Sequence, residues 1–246
     1  MCKTMRHSKF ITILALALLL AVVTSCTNSG EYVIGEDTVC YSHWSFSFGT
    51  INDTLPGANP KTFKTINKWS GHDGKNVYFQ NILVKGADAA TVQADKFPLL
   101  YDKRDYYYKG VAMHVANVDK FKTLKWFEDD MWATDGTYAF YDSIRIKPQD
   151  MNSFKVKTYN MAVDSKYVYR YGKILPLADP ATYEEEWDGY FSRDKSHIWH
   201  AGTLLEDADY ATFKVDKDDV AHDKHGYFWG EQRMSKEEID EKHLLD

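Results

Sequence analysis

The sequence predicts a mainly β fold with short helices, built from tandem repeats of about thirty residues that stack as a solenoid-like array. Three observations lead to this prediction. An aspartate recurs at nearly constant intervals, an aromatic residue follows it at a fixed distance, and an Asp or Asn suited to begin a helix comes later in each copy. A unit this short, a β-hairpin plus a short helix, cannot bury its apolar face alone, so neighbouring units must share a core.

Residues 1–25 are predicted to be a lipoprotein signal peptide. A basic start is followed by an apolar run, residues 10–23, that is short for a membrane span and ends just before Cys26. Small residues directly before a cysteine are typical of the site where a bacterial lipoprotein is cleaved and acylated. Cys26 is therefore the predicted lipidation site, and the chain is expected in the cell envelope, anchored to a membrane by lipid. An ordinary secretory signal cut near Ser25 and an uncleaved anchor are the alternatives.

Composition disfavours several classes of function. Removal of the signal takes away three of the 30 basic residues and leaves 27 against 36 acidic ones, a net charge of −9. Because the basic residues are scattered among carboxylates, nucleic acid is not expected as a partner. Cys40 is the one cysteine beyond the signal and the anchor, which excludes a disulfide within the mature chain and a cysteine metal cluster. Residues 26–42 are predicted to be the lipidated cysteine and a tether.

The repeat is carried by six leading aspartates and by residues at fixed distances after them. The leading aspartates are Asp73, Asp102, Asp135, Asp164, Asp194 and Asp223, at intervals of 29, 33, 29, 30 and 29 residues. Five residues later stand the core aromatics Tyr78, Tyr107, Phe140, Tyr169, Trp199 and Phe228. They are predicted to lie on a strand and to fill the core, with a turn residue at the eighth position and an apolar residue of a second strand at the eleventh.

Each complete copy ends with a predicted helix start. The fifteenth residue after the leading aspartate is Asp88, Asn117, Asp150, Asp179 or Asp209, a residue type that caps helix N-termini. A degenerate copy is predicted to begin at His43, with Phe48 in the place of the core aromatic, and the last copy breaks off after Phe228. The repeat domain is thus predicted to span residues 43–234. Residues 235–246, with Ser235 and Glu238 at capping-box spacing, are predicted to form a C-terminal helix that caps it.

With these motifs the chain resembles the DKNYY family of bacterial repeat proteins. The motif appears as DGKNVYFQN, DKRDYYYKG, DSKYVYRYG and DKSHIWHAG, with DGTYAFYDS and DKHGYFWGE as weaker copies. The resemblance covers residues 43–232. It implies a protein of a kind that is often secreted or lipid-anchored, and the family supplies no catalytic motif to carry over.

Metal binding is the alternative interpretation of two motifs. The leading aspartates could form a ladder of calcium ligands, but one copy lacks the clustered oxygens that calcium needs, so turn formation is preferred. Two histidine pairs, His197 with His200 and His222 with His225, could bind zinc together, yet the sequence offers no further ligands. No Ser-His-Asp order is legible. We therefore expect no metal, no cofactor and no catalytic residue.

Aromatic residues outside the fixed positions are the candidate binding residues. Tyr108, Tyr171, Trp187 and Trp229 recur less regularly than the core aromatics and are expected to be exposed, where such rings stack on sugars or anchor a protein. One hypothesis is a non-enzymatic repeat scaffold that binds a protein or glycan of the envelope. The other is an envelope hydrolase with a site between units. The scaffold is preferred, and the chain is not expected to be an enzyme.

A β-propeller is the alternative to an open stack of units. Propeller blades normally have four strands, and thirty residues are expected to hold only two or three strands beside the helix. The sequence therefore favours the open stack.

Overall fold

The computed structural model describes residues 30–128, 130–185, 190–242 and 244. Two predicted features, the lipidation site Cys26 and the candidate binding residue Trp187, lie outside these ranges. Within them the fold is mainly β, with many short strands, a 3-10 helix at Val118–Lys120 and an α-helix, α1, at Lys236–Glu241. Neither helix has the length and apolar composition that a membrane crossing requires.

The described chain divides into two compact units, and the boundary falls inside one strand. Unit 1 comprises the residues up to Lys103 together with Tyr107–Ala112, and unit 2 comprises Arg104–Tyr106 and the residues from Met113 onward. In every sheet the strands follow chain order and neighbours pair antiparallel, and none of the described sheets closes on itself.

Unit 1 contains three sheets. Sheet 1 has β1 (Glu31–Ile34), β2 (Val39–Ser45) and β3 (Gly49–Thr54). Sheet 2 has β4 (Lys64–Asn67), β5 (Ser70–His72), β6 (Val77–Phe79) and β7 (Ile82–Leu83). Sheet 3 has β8 (Gln93–Ala94), β9 (Leu99–Tyr101), β10 (Tyr106–Tyr108), in which the boundary falls, and β11 (Val111–Ala112).

Unit 2 contains four sheets of four strands. Sheet 4 has β12 (Lys122–Phe127), β13 (Asp130–Thr134), β14 (Ala139–Tyr141) and β15 (Ile144–Ile146). Sheet 5 has β16 (Lys155–Val156), β17 (Met161–Val163), β18 (Val168–Arg170) and β19 (Lys173–Ile174). Sheet 6 has β20 (Glu184–Glu185), β21 (Phe191–Arg193), β22 (Ile198–His200) and β23 (Thr203–Leu204). Sheet 7 has β24 (Lys214–Lys217), β25 (Val220–Asp223), β26 (Gly226–Trp229) and β27 (Gln232–Met234).

The strand count corrects the sequence analysis, which expected a hairpin and a short helix in each copy. The predicted hairpin forms the third and fourth strands of each sheet from sheet 2 onward, and the first two strands were missed. Four strands fit into thirty residues because most of them are only two to four residues long. The strand-count argument against a β-propeller was therefore wrong.

The predicted helix is a single turn in most copies. After Asp179, the amides of Thr182 and Tyr183 donate to the Asp179 carbonyl at 3.2 and 2.9 Å, and the chain is extended again at β20. The strand that follows so closely leaves room for one turn only. In one copy the turn is regular enough to be a 3-10 helix, Val118–Lys120, with Asn117 as its N-cap.

The predicted core positions are confirmed. All six core aromatics are at most 2% exposed. Five of the core aromatics each pack against the aromatic that directly precedes the first strand of the same sheet. The ring centroids are 5.7–6.0 Å apart in the pairs Phe63 with Tyr78, Phe121 with Phe140, Phe154 with Tyr169, Tyr183 with Trp199, and Phe213 with Phe228. The aromatic surplus is thus largely used inside the sheets.

The predicted turns are confirmed as well. Between β18 and β19, Tyr171 and Gly172 have φ angles of 48° and 73°, the two positive values of a type I′ turn. Lys109 with Gly110, and Ala201 with Gly202, repeat the pattern. This turn suits the twist of paired strands, which explains why glycine recurs at the eighth position.

The degenerate first copy begins at a different residue from the one predicted. The Leu55 amide donates to the Val39 carbonyl at 2.8 Å, and the Leu175 amide donates to the Val168 carbonyl at the same distance in sheet 5. Val39 therefore corresponds to Val168, so this copy starts near Gly35 rather than at His43. Phe48 does not fill the core, because it lies at the tip of a longer hairpin. Residues 39 and 55 are 16 apart and residues 168 and 175 are 7 apart, so this hairpin is nine residues longer.

Helix α1 has the capping box that the sequence predicts. The Glu238 amide donates to the Ser235 hydroxyl at 3.2 Å, and the Ser235 amide donates to the Glu238 carboxylate at 2.8 Å. Ile239 is fully buried against Val220 and Met234 of sheet 7. This helix thus covers apolar side chains of the last described sheet.

Candidate functional site

The leading aspartate of each copy ties a turn to the connection from the preceding sheet. In sheet 5, one carboxylate oxygen of Asp164 accepts the amides of Lys166 and Tyr167 at 2.8 and 2.7 Å. The other accepts the amide of Gln149 at 2.6 Å and the hydroxyl of Tyr169 at 2.7 Å. Gln149 belongs to the segment between β15 and β16, so one carboxylate holds both the turn and that connection.

Most other copies repeat this arrangement, which confirms turn formation as the role of the motif. One carboxylate oxygen of Asp73, Asp135 and Asp194 accepts the amides of the residues two and three positions later in the chain. The other oxygen accepts an amide of the preceding connection, which belongs to Asn59, Ala116 and Asp179 respectively. A carboxylate offers about four acceptor positions. In these copies protein donors already occupy most of those positions, so the aspartates serve the fold.

Hydrogen bonding keeps the carboxylates of Asp164 and Asp223 ionised. Burial alone would raise the pKa of Asp164, but hydrogen bonds from the Tyr169 hydroxyl and from backbone amides outweigh it, and the pKa lies below its ordinary value. At Asp223 the hydrogen bond from Arg233 has the largest effect. The Arg233 nitrogens lie 2.9 Å from both carboxylate oxygens, and the pKa of Asp223 is held far below its ordinary value.

The lysine that often follows the leading aspartate pairs with the preceding connection. The ammonium of Lys103 lies 2.9 Å from the Asp88 carboxylate, Lys195 lies at the same distance from Asp179, and Lys224 pairs with Asp209. These lysines are more than half exposed, so solvent screens each pair and it contributes little to stability. The Asp-Lys dipeptide is thus explained by contacts within the fold.

Tyr108 is buried, which corrects its prediction as an exposed binding residue. It is 4% exposed and lies six residues after Asp102. The residues at the same position in four other sheets, Phe79, Tyr141, Arg170 and His200, are also buried. Both faces of this third strand are therefore covered, and the alternation of the strand leaves no exposed side.

Tyr171 and Trp229 are exposed, as the sequence predicts, each at 40%. Trp229 occupies the position of Tyr108 in sheet 7, the last sheet of the described chain, and the Lys242 ammonium lies 5.3 Å from its ring centroid. The two residues lie in different sheets, and no contact joins them in the described structure.

The tyrosine patch, which we define as Tyr171, Tyr159 and Arg170, lies on sheet 5. The two hydroxyl oxygens are 3.4 Å apart and the ring centroids 6.3 Å apart, with the rings nearly perpendicular. The Arg170 guanidinium lies 5.7 Å from the Tyr171 centroid, within cation–π range. The hydrogen bond to Tyr159 and the nearby Arg170 charge lower the pKa of the Tyr171 hydroxyl.

An open groove of about 330 Å³ adjoins the tyrosine patch. It is lined by Arg170, Tyr171, Lys173, Ile174, Leu175, Ala201, Gly202 and Thr203. The groove thus combines an exposed ring, two basic side chains and a hydroxyl. The sequence missed Tyr159 because it lies outside the repeated positions, and it missed Arg170 because this copy has a basic residue where most copies have an aromatic one. Pairing of β17 with β18 brings their segments together.

The histidines pair with separate carboxylates. His197 lies 3.2 Å from Asp194, His200 lies 2.9 Å from Asp219, and His222 lies 2.8 Å from Asp216. Across the described ranges no cluster of three or more His, Cys, Asp or Glu side chains has the arrangement of a metal site. The histidine pairs are therefore not brought together as the zinc interpretation requires.

Comparison with known proteins identifies the repeat. The model of the DKNYY family matches residues 37–203, which is more than half of the chain. No curated protein and no solved structure matches the sequence. The family match begins near Gly35, where the first sheet begins its copy of the repeat. It ends at β23, one sheet before the end of the repeated structure. This chain belongs to the DKNYY family.

Proposed function

We propose that this protein is a non-enzymatic, lipid-anchored scaffold of the bacterial cell envelope that binds a glycan at the tyrosine patch. The observation that carries the proposal is the pair of exposed tyrosines beside an open groove with Arg170 and Lys173. Exposed rings stack on sugar faces, and basic side chains beside them suit a glycan that carries carboxylates.

Stacking of the sheets in sequence order is the architecture that we propose within each unit. In unit 2, Tyr169 of sheet 5 shares one buried cluster with Trp132 and Ile146 of sheet 4. A Cβ added at Gly172 would lie 3.0 Å from the Tyr141 Cβ of sheet 4. Such close packing between consecutive sheets supports a shared core and a broad outer surface, which suits a binding scaffold.

A hydrolase would need a carboxylic acid with a raised pKa or an activated nucleophile. The most regularly repeated carboxylates have the opposite property, since hydrogen bonds lower the pKa of Asp73, Asp164 and Asp194. They are also committed to turns. These features support binding rather than acid–base catalysis.

A glycan array tests the proposed ligand. We expect the mature protein to bind oligosaccharides with uronic acid or other acidic groups, and Tyr171→Ala to weaken this binding about tenfold or more, as the loss of a central aromatic contact does. Tyr210→Ala is the matched control, because Tyr210 is equally exposed and does not line this groove. Equal binding by the Tyr171→Ala protein would contradict the proposed site. Capture of an envelope protein without any glycan would replace the glycan with a protein ligand.

Metabolic labelling tests the proposed anchor. A fatty-acid analogue should label the protein and should not label its Cys26→Ser variant. Equal labelling of the two would exclude Cys26 as the lipidation site.

A further inference from the structure

The hairpin of β2 and β3 extends beyond what the repeat requires. Its register runs from Cys40 opposite Thr54 to Ser45 opposite Gly49. The equivalent hairpin of sheet 5 closes with the two-residue turn of Tyr171 and Gly172. The nine additional residues of the first hairpin therefore form an extension whose tip is not needed to build the sheet.

The tip of this hairpin exposes three aromatic side chains. Phe46 is 92% exposed, Phe48 is 81% exposed and Trp44 is 55% exposed. The Trp44 and Phe46 rings contact each other edge to face, with centroids 6.0 Å apart. Turn residues are usually Gly, Asn, Asp, Ser or Pro, so two phenylalanines in one tight turn indicate a surface that is covered when the protein functions.

The tip carries no charge. Residues 44–52 include no Asp, Glu, Lys, Arg or His. At its base, His43 and Asp53 lie 3.1 Å apart, so the nearest acidic group already has a partner. Aromatic residues on an uncharged tip are typical of segments that reach the interface of a lipid bilayer, where the rings lie at the level of the headgroups.

Cys26 lies close in sequence to the first strand of sheet 1. β1 begins at Glu31, which pairs with Ser42, and β2 runs from there toward the tip. Glu31 is five positions after Cys26, so their Cα atoms are at most about 17 Å apart. Phe46 is four positions after Ser42, which is about 13 Å along an extended chain. A lipid on Cys26 and the aromatic tip can therefore reach one membrane surface together.

We infer that the aromatic tip, Trp44, Phe46 and Phe48, inserts into the interface of the bilayer that holds the lipid anchor. The inference rests on the proposed anchor at Cys26. An apolar protein segment beside a lipid anchor supplies a second attachment to the membrane. Insertion would also fix the orientation of sheet 1 toward the membrane.

Quenching of Trp44 by lipid tests this inference. The full mature protein, purified from membranes, is reconstituted into phosphatidylethanolamine–phosphatidylglycerol vesicles, with or without lipids brominated near the headgroup. The fluorescence of the Trp44→Phe variant is subtracted from that of the unchanged protein, which leaves the Trp44 signal. We expect bromine-dependent quenching of Trp44, which the double change Phe46→Ser and Phe48→Ser should reduce to nearly the unbrominated level. Tyr210→Ser, at an exposed aromatic outside the hairpin, is the matched control and should quench like the unchanged protein.

A second measurement separates the inference from the proposed anchor. The mass of the N-terminal peptide reports whether Cys26 is acylated. Acylated Cys26 without Trp44 quenching would overturn the inference and leave the anchor standing. Trp44 quenching with unmodified Cys26 would support tip insertion and remove the anchor. Loss of a bound protein from the double variant, without any Trp44 quenching in the unchanged protein, would overturn the inference in favour of a protein partner.

Discussion

Tyr169→Ala tests whether the core aromatics hold consecutive sheets together. Tyr169 is fully buried, and its ring centroid lies 5.7 Å from that of Phe154. Its hydroxyl donates to Asp164 at 2.7 Å. The change removes a ring shared by sheets 4 and 5 and one of four donors to a buried carboxylate. Both losses weaken the connection between the two sheets.

The expected cost is large. Truncation of a fully buried large aromatic costs about 3–5 kcal/mol in free energy of unfolding. For a chain of this size, about 1 kcal/mol shifts the melting temperature by roughly 2–4 °C, so the expected decrease is roughly 6–20 °C. Tyr169→Phe keeps the ring and loses only the hydroxyl donor. A hydrogen bond to a charged group contributes about 1.5–3 kcal/mol, so this variant should lie between the unchanged protein and Tyr169→Ala.

Thermal unfolding followed by circular dichroism measures the effect, and Tyr171→Ala is the matched control. Tyr171 is two residues away and 40% exposed, so its truncation should change the free energy of unfolding by no more than about 1 kcal/mol. Limited proteolysis of Tyr169→Ala should cut first within residues 164–186, because loss of one interface opens both neighbouring sheets. A melting shift of less than about 2 °C for Tyr169→Ala would refute the assignment of this position to a shared core.

Three further predictions concern backbone, charge and ligand. Gly172→Ala should destabilise the protein by about 1–3 kcal/mol in denaturant unfolding, because a Cβ there would lie 3.0 Å from a tyrosine Cβ of the preceding sheet. Gly74→Ala is the control: Gly74 also has a positive φ but faces open space, so this change should cost less, and equal costs for the two variants would contradict the packing argument. The free energy of unfolding should fall as the pH drops below about 4, because the folded-state pKa of Asp223 lies below its unfolded value and the unfolded chain therefore binds more protons in this pH range. Arg233→Gln should make this decrease shallower, and an unchanged dependence on acid pH would contradict the role of the Arg233–Asp223 pair. Addition of an acidic glycan should raise the melting temperature of the unchanged protein, and it should raise that of Tyr171→Ala less at the same glycan concentration.

The spacing of particular residues was enough to predict much of the fold. The leading aspartates, the core aromatics and the glycine turns are each repeated at fixed distances, and local physics explains each of them. Asp164 bonds amides two and three residues ahead, and Gly172 adopts a positive φ in a two-residue turn. Interactions between residues so close in sequence can be predicted from the sequence itself.

The candidate site was only partly predictable. Tyr171 interrupts the repeat and was predicted to be exposed, whereas Tyr159 and Arg170 join it only because β17 and β18 pair. Tyr108 was predicted to be exposed and is buried, as are the residues at the same position in four other sheets. The exposure of a side chain depends on what packs over it, which spacing along one strand does not report.

The sequence by itself determined the period, the family, the turn chemistry and the identity of the core aromatics. These features follow from contacts within a few residues and from their repetition. The tertiary structure alone decided that each complete copy is a four-stranded sheet, that the first copy begins near Gly35, and that Phe46 and Phe48 lie at an exposed tip. Which residues lie next to each other in a sheet depends on the register of strand pairing, which the composition of a single strand does not determine. A phenylalanine therefore fills the core in one hairpin, as Phe140 does, and is exposed to solvent at the tip of the longer first hairpin, as Phe48 is.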